Sequence, residues 1–368
     1  MTARGTPFKI QLIYISKGAV SERRRFCFCK DAALRSGVFA QRKEPLYETS
    51  REDRRRADGG GRICGGSSGC GIRHDGPVIG ITWKSNTQDY AAFKKIIEDA
   101  GGVPVELGQV RNEKIGYNAD GTVAADDVYP SGMLTEEAAA VKANRFDETN
   151  AAEVMKQVDG VFFTGGEDIS PSLFKVPQKE ENKGEAINAA RDISDYTLMS
   201  YCLAKDIPVL AVCRGEQMMG IVSGVTFIQD IPAYYADKGG AYNDLHRMSA
   251  GVPNRTYAHH DVEIFPIPSH LYQIVGDTKL EKVSSWHHQA VESLTGTPLV
   301  QTAQTVSNGV AIVEGVENPY KKFCVGVQFH PENDLVEVGQ RGKDASGFCD
   351  NTICLRFFQA LVKAASRK

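Results

Sequence analysis

The 368-residue sequence lacks several features that would assign it to a class at once. It has no run of about 18 apolar residues, so it predicts no segment that spans a membrane. Its nine cysteines are an odd number in a chain too long to need disulfide bonds, so a reducing, cytoplasmic location is the simpler expectation. Residues 76–368 hold 38 acidic against 27 basic side chains. That acidic excess offers no electrostatic basis for binding nucleic acid.

Residues 1–75 differ in composition from the rest of the chain. They hold 16 basic against 8 acidic side chains, with two arginine triplets and a Gly/Cys/Ser-rich stretch. A secretory signal is not indicated, because the apolar core is short and no small-residue cleavage site follows it. The cysteines in this part, at positions 27, 29, 64 and 70, match the spacing of no zinc module. We therefore predict a basic, disordered extension before one domain that covers residues 76–368.

From Pro77 onwards, short apolar runs alternate with segments of helical spacing. A strand, a helix and a strand within about 30 residues indicate a parallel βαβ unit. The predicted strands of this part are 77–83, 103–107, 160–164 and 207–212, and the predicted helices are 90–100 and 185–204. After Gly224 the chain becomes β-rich, with strands predicted at 225–228, 260–265, 280–284, 299–304, 310–316 and 323–328 before a closing helix at 352–365. The fold class predicted is α/β, with a doubly wound, mostly parallel sheet covered by helices on both faces.

A polar insertion at about 108–150 interrupts this pattern. Its composition is suited to a loop at 116–130, and a helix is predicted from Thr135 to about Arg145. The insertion is long enough to overhang a binding site, and an ordinary surface excursion explains it equally well.

The apolar strand that ends at Cys213 carries the strongest functional signal. A helical segment follows directly, and Gly215 allows that helix to start beneath a strained bend. The thiol then lies at the positive end of the helix dipole, which favours the thiolate. A cysteine at the end of a strand is more often inert, but the glycine two residues later favours a nucleophile.

A candidate base for this thiol follows another apolar strand, at His330. Pro331 turns the chain, and Glu332 can bend back to hold the imidazole in one tautomer, as the acidic member of a triad does. A glycine pair, Gly165 and Gly166, follows a third apolar strand and suits an oxyanion hole, although an ordinary turn is an alternative. The amide of Arg214 at the helix start is the second candidate donor.

Other polar residues are candidates for substrate contact or for structural hydrogen bonds. His287, His288 and Gln289 follow Trp286, and Gln217 lies one turn into the helix after Cys213. We found no carboxylate or cysteine at metal-ligand spacing from these histidines or from the His259–His260 pair. Neither a metal nor a cofactor is therefore predicted.

Together these motifs resemble the class I glutamine amidotransferase-like superfamily, whose fold is flavodoxin-like. Within it they resemble the γ-glutamyl-γ-aminobutyrate hydrolase branch, peptidase C26. The resemblance covers about 77–368 and rests on Val212–Gln217, Gln328–Glu332, Gly165–Pro171, the Arg191–Asp195 pair at helical spacing, and His287–Gln289. One departure is Ala211, where the family commonly has glycine.

The resemblance implies a cysteine hydrolase of γ-glutamyl amides. Cys213 would be the nucleophile, His330 the base and Glu332 the third member, with γ-glutamyl-GABA from putrescine breakdown as the expected substrate. Two alternatives remain: a glutaminase subunit that delivers ammonia to a separate synthetase, and a non-catalytic binding protein. The only partner expected is a small γ-glutamyl substrate, with a homo-oligomer left open.

Overall fold

The computed structural model describes residues 76–83, 90–143, 146–177, 186–253 and 255–366. The predicted extension at residues 1–75 lies outside the described residues. No helix in the described ranges is both long enough and apolar enough to cross a bilayer.

Strands and helices alternate in the first half of the domain, and strands dominate the second. The strands are β1 (Val78–Ile81), β2 (Val103–Glu106), β3 (Gly160–Phe163), β4 (Val209–Val212), β5 (Thr226–Ile228), β6 (Ala258–Ile264), β7 (Lys279–Ser285), β8 (Ala290–Ser293), β9 (Val300–Ser307), β10 (Val310–Glu317) and β11 (Cys324–Val327). The helices are α1 (Tyr90–Asp99), α2 (Ala151–Val154), α3 (Ala189–Lys205), α4 (Arg214–Ser223), α5 (Ile231–Asp237), α6 (His270–Val275), α7 (Pro331–Asp334) and α8 (Asn351–Ala365).

Nine of these strands form one sheet, in the order β2-β1-β3-β4-β11-β10-β9-β6-β7. The pairings from β2 to β11 are parallel, and those from β11 to β7 are antiparallel. Strands β5 and β8 form a separate antiparallel pair. The α/β, flavodoxin-like class predicted from the sequence is confirmed. The antiparallel strands of the β-rich second half continue the sheet beyond β11.

Helices cover both faces of the parallel strands because successive strand side chains point to opposite faces. Leu210 and Val212 of β4 belong to an apolar cluster with α1 and α8, whereas Val209 and Ala211 belong to a second cluster with α3 and α4. All four side chains are fully buried, as expected for an apolar strand covered on both sides.

The insertion at 108–150 contains short 3₁₀ helices in place of the predicted α-helix. These are Ala125–Asp127, Ala138–Ala143 and Phe146–Glu148. Val110, Leu134 and Val141 are buried in the same apolar cluster as α3 and α4, so the described part of the insertion packs on that face of the domain.

Candidate active site

Three neighbouring parallel strands deliver the candidate residues to one edge of the sheet. Phe163 of β3 pairs with Ala211 of β4, and Val212 of β4 pairs with Val327 of β11. The carboxyl ends of parallel strands share one edge, where ligands of open α/β sheets bind. Gly165, Cys213 and His330 each follow one of these strands, and a methyl group built on Gly165 would lie 2.7 Å from His330 Cε1 and 3.6 Å from Cys213 Cβ.

Cys213 occupies a strained bend between β4 and α4. Its backbone has φ 52° and ψ −108°, a conformation that non-glycine residues adopt rarely and that is often found at functional sites. The residue is buried, and its Sγ lies 3.8 Å from the Trp286 carbonyl oxygen. A Cβ on Gly215 would come within 2.7 Å of the Phe163 carbonyl oxygen, so only glycine fits where α4 starts against β3.

His330 and Glu332 form a short hydrogen bond of 2.6 Å between Nδ1 and Oε1. His330 precedes the short helix α7, and Pro331 at the first position of that helix turns the chain so that Glu332 faces the ring. Burial alone would lower the pKa of His330, but the charge of Glu332, together with Tyr257 and Cys213, raises that pKa well above its usual value. A side-chain hydrogen bond with Cys213 also contributes to that rise.

The glycine pair is held from behind by Arg191 of α3. Its Nη2 donates to the Gly165 carbonyl oxygen at 2.7 Å. The carbonyl and the next N–H of a trans peptide point in opposite directions. The Gly166 N–H therefore points away from Arg191. A Cβ on Gly166 would lie 2.0 Å from Arg191 Nη1, so no side chain fits there.

Arg191 and Arg214 share a buried ionic cluster with three carboxylates. Arg191 contacts Glu167 at 2.7 Å and Asp195 at 3.1 Å, and Arg214 pairs with Asp192 and Asp195. Burial raises the pKa of Asp192 to about 6, although the Arg214 guanidinium opposes that rise. The cluster ties the start of α4 to α3, while the backbone N–H of Arg214 remains one of the first helix amides, which have no intrahelical partner.

A cleft of about 730 Å³ opens over these residues. Besides Cys213, His330, Glu332 and the glycine pair, its lining includes Tyr257, Trp286, Glu167 and Lys343, none of which was a predicted site residue. The Tyr257 ring packs edge-on against His330, with centroids 5.1 Å apart. No described residue of the 108–150 insertion is among those that line this cleft.

The four predicted substrate residues lie outside the lining of this cleft. Gln217 is buried and donates to the Gln289 carbonyl and to Gln328 Oε1. His288 Nε2 lies 2.9 Å from Asp168 Oδ2. The His287 ring lies in a separate buried cluster with Glu314, a carboxylate distant in sequence that a search by ligand spacing missed. Substrate contact by these four residues stays a prediction.

Comparison with known proteins gives the family of the chain. The peptidase C26 family profile matches residues 137–332, more than half of the chain. The chain belongs to the peptidase C26 family. This peptidase C26 domain is thus a member of the class I glutamine amidotransferase-like superfamily, and the resemblance inferred from its motifs is confirmed.

Curated relatives of this peptidase C26 chain carry several names. It is 35% identical over 183 residues to Protein NtpR of Enterococcus hirae, covering 50% of this chain and 70% of the relative. It is 31% identical to the putative glutamine amidotransferase-like protein RP404 of Rickettsia prowazekii, covering 58% and 79%. It is 25% identical over 195 residues to the γ-glutamyl-γ-aminobutyrate hydrolase PuuD of Escherichia coli K12, covering 49% and 66%.

Proposed function

We propose that this protein hydrolyses γ-glutamyl amide bonds through a thioester on Cys213. The observation that carries the proposal is the register of β3, β4 and β11, which ends three parallel strands at an oxyanion-type glycine pair, a cysteine and a histidine. The strained backbone of Cys213 and the 2.6 Å contact between His330 and Glu332 support it.

In the first half-reaction, the Cys213 thiolate attacks the γ-carbonyl carbon of the substrate. The oxygen gains negative charge, and the N–H groups of Gly166 and Arg214 stabilise it. His330 protonates the departing amine, and a γ-glutamyl thioester remains on Cys213.

In the second half-reaction, His330 removes a proton from water, which attacks the thioester carbonyl. Glutamate leaves, and the Cys213 thiolate and the protonated His330 are regenerated. Glu332 keeps the imidazole in the orientation that both proton transfers require.

We further propose γ-glutamyl-GABA as the substrate, in the catabolism of putrescine. The relative from Escherichia coli K12 is named for the hydrolysis of γ-glutamyl-γ-aminobutyrate, and this chain is 25% identical to it over 195 residues. A thiolate nucleophile also needs a reducing compartment, so we place the reaction in the cytoplasm.

A second candidate function is that of a glutaminase subunit, which would release ammonia for a separate synthetase. The name of the Rickettsia prowazekii relative favours it. Such a subunit would act on free glutamine and would be nearly inactive without its partner.

An assay of released glutamate separates these functions. The full chain is incubated with γ-glutamyl-GABA, γ-glutamylputrescine, γ-glutamyl peptides and glutamine, with Cys213→Ala as the blank. Cys202→Ala is the matched control, because Cys202 is a buried thiol of the apolar core away from the cleft. We expect the wild type and Cys202→Ala to hydrolyse γ-glutamyl-GABA and Cys213→Ala to be inactive.

Two results would redirect the assignment. Turnover of glutamine alone, and only after a partner protein is added, would support the glutaminase subunit. Equal rates for the wild type and Cys213→Ala with every compound would indicate a non-catalytic binding protein.

A further inference from the structure

Four buried side chains from distant parts of the sequence converge at a point outside the lining of the active-site cleft. His246 lies between α5 and β6, His260 on β6, His287 between β7 and β8, and Glu314 on β10. One ligand atom of each residue lies within 4.8 Å of those of the other three. None of the four side chains is more than 5% exposed.

This cluster is polar but almost without hydrogen bonds. Within the described ranges, no aligned hydrogen bond reaches Nε2 of His260, Nε2 of His287 or either ring nitrogen of His246, and Thr305 is the side chain that hydrogen-bonds Glu314. Buried polar atoms in native proteins nearly always have a partner, so such a concentration of unpartnered atoms needs an explanation. A cation bound at their centre would satisfy the lone pairs that face one another.

The spacing of the ligand atoms fits a tetrahedral transition-metal site. Glu314 Oε1 lies 3.0 Å from His246 Nδ1, 3.7 Å from His260 Nε2 and 3.8 Å from His287 Nε2. Tetrahedral zinc with bonds of about 2.0–2.2 Å separates its ligand atoms by about 3.3 Å. The His246–Glu314 pair would open by about 0.3 Å, and the other two pairs would close by about 0.4–0.5 Å, to reach that separation.

Two of the rings are already oriented as metal ligands. His287 Nδ1 lies 2.9 Å from the Gln289 carbonyl oxygen, and His260 Nδ1 lies 3.1 Å from the Asp261 carbonyl oxygen. A hydrogen bond from one ring nitrogen to a carbonyl fixes the tautomer and leaves the other nitrogen with a free lone pair. In both residues that other nitrogen is Nε2, which faces Glu314.

We propose that His246 Nδ1, His260 Nε2, His287 Nε2 and Glu314 Oε1 bind one divalent transition-metal ion, with zinc as the best fit. The four protein ligands fill the tetrahedral coordination, so the ion has a structural role.

The ion would hold the segment that forms one wall of the cleft. His287 follows Trp286, whose carbonyl oxygen lies 3.8 Å from Cys213 Sγ. The His287 N–H also donates to the His246 carbonyl, so two ligands are linked through the backbone. Binding would fix this wall to β6 and β10.

Metal content tests the proposal in the full-length chain. Cys213→Ala serves as the parent, because an active-site thiol can itself bind zinc. Each protein is equilibrated with Zn²⁺, desalted and analysed by mass spectrometry of the metal. Glu314→Gln is compared with its exposed counterpart Glu263→Gln, and His260→Asn with His259→Asn, which lies on the opposite face of the same strand.

We expect Glu314→Gln and His260→Asn to retain about one ion per chain less than the parent, since losing a ligand opens the closed site. The two exposed variants should match the parent. This difference is independent of any zinc held by other cysteines. Equal metal content in all five proteins, or no bound metal in the parent, would overturn the proposal.

Cobalt provides a readout that does not depend on folding of the variants. The parent loaded with Co²⁺ should show the intense visible absorption of a four-coordinate site, without thiolate charge-transfer bands. Weak six-coordinate absorption, or thiolate bands alone, would contradict the proposal even if Glu314→Gln fails to fold.

Discussion

Replacing Gly215 by alanine tests whether the position of α4 sets the position of the nucleophile. The new Cβ would lie 2.7 Å from both Cβ and the carbonyl oxygen of Phe163, about 0.7 Å closer than ordinary van der Waals contact at 3.4 Å. Because these atoms belong to β3 and its backbone, α4 must move away from the sheet. Cys213 and the Arg214 N–H lie immediately before Gly215 and must move with it.

A displacement of α4 by this distance should have a large effect on the rate of catalysis and a moderate effect on the free energy of unfolding. A misplacement of about 1 Å lowers rates by about 100-fold, so we expect kcat/KM of Gly215→Ala to fall about 10- to 100-fold. Overpacking should lower the free energy of unfolding by about 1–3 kcal/mol.

The assay compares release of glutamate from γ-glutamyl-GABA with the Tm from thermal unfolding. Gly108→Ala is the matched control, because a Cβ at Gly108 meets no atom within 4 Å. The control should keep the wild-type rate and Tm. If Gly215→Ala also kept both, the steric explanation of the bend at Cys213 would be wrong.

Three further substitutions test the surroundings of the nucleophile. Glu332→Gln removes the charge that raises the pKa of His330, so the imidazolium should lose its proton at lower pH. The alkaline limb of the kcat/KM profile should then shift to lower pH. An alkaline limb at the wild-type pH would contradict this. Arg191→Lys keeps the charge but loses the guanidinium hydrogen bond to the Gly165 carbonyl. We therefore expect kcat to fall about 100-fold with little change in KM. A change in KM alone would show that Gly166 is not an oxyanion donor. Burial raises the pKa of Asp334 to about 7, so the stabilising contribution of this group is complete below the unfolded pKa of about 3.9 and is lost as the pH rises through 7. Asp334→Asn should therefore make the Tm depend less on pH between these two values. A Tm that depends on pH as in the wild type would refute the raised pKa of Asp334.

The parallel half of the fold was predictable because its signals are local. The strand before Cys213 and the strand before His330 are both short apolar runs, and the structure places them as neighbours, β4 and β11. Cys202, Cys324 and Cys354 also lie in apolar segments and are buried. Apolar periodicity reports burial directly, so these features can be inferred from one sequence.

Features that depend on long-range contacts were not predictable. Arg191 and Asp195 do pair at helical spacing, but Arg191 is fully buried among Glu167 and the Gly165 carbonyl rather than lying on a solvated face. A helical pattern cannot reveal that a charged side chain will be covered by another element. The association of Glu314 with the three histidines of its cluster was not predictable for a similar reason. Glu314 lies in an apolar strand more than 25 residues from the nearest of those histidines.

The insertion shows a third limit. The segment from Thr135 to Arg145 has helix-forming residues, yet the structure has a 3₁₀ helix at Ala138–Ala143. Propensity is a weak prior for so short a segment, and tertiary packing of Leu134 and Val141 determines its conformation.

Rapid acid quenching of the enzyme with γ-glutamyl-GABA, followed by mass spectrometry of the peptide that contains Cys213, tests the nucleophile most directly. We expect a γ-glutamyl adduct on Cys213 that forms before steady state and decays as glutamate appears. Turnover of the same substrate by Cys213→Ala at the wild-type rate, with no adduct on the wild-type peptide, would contradict it.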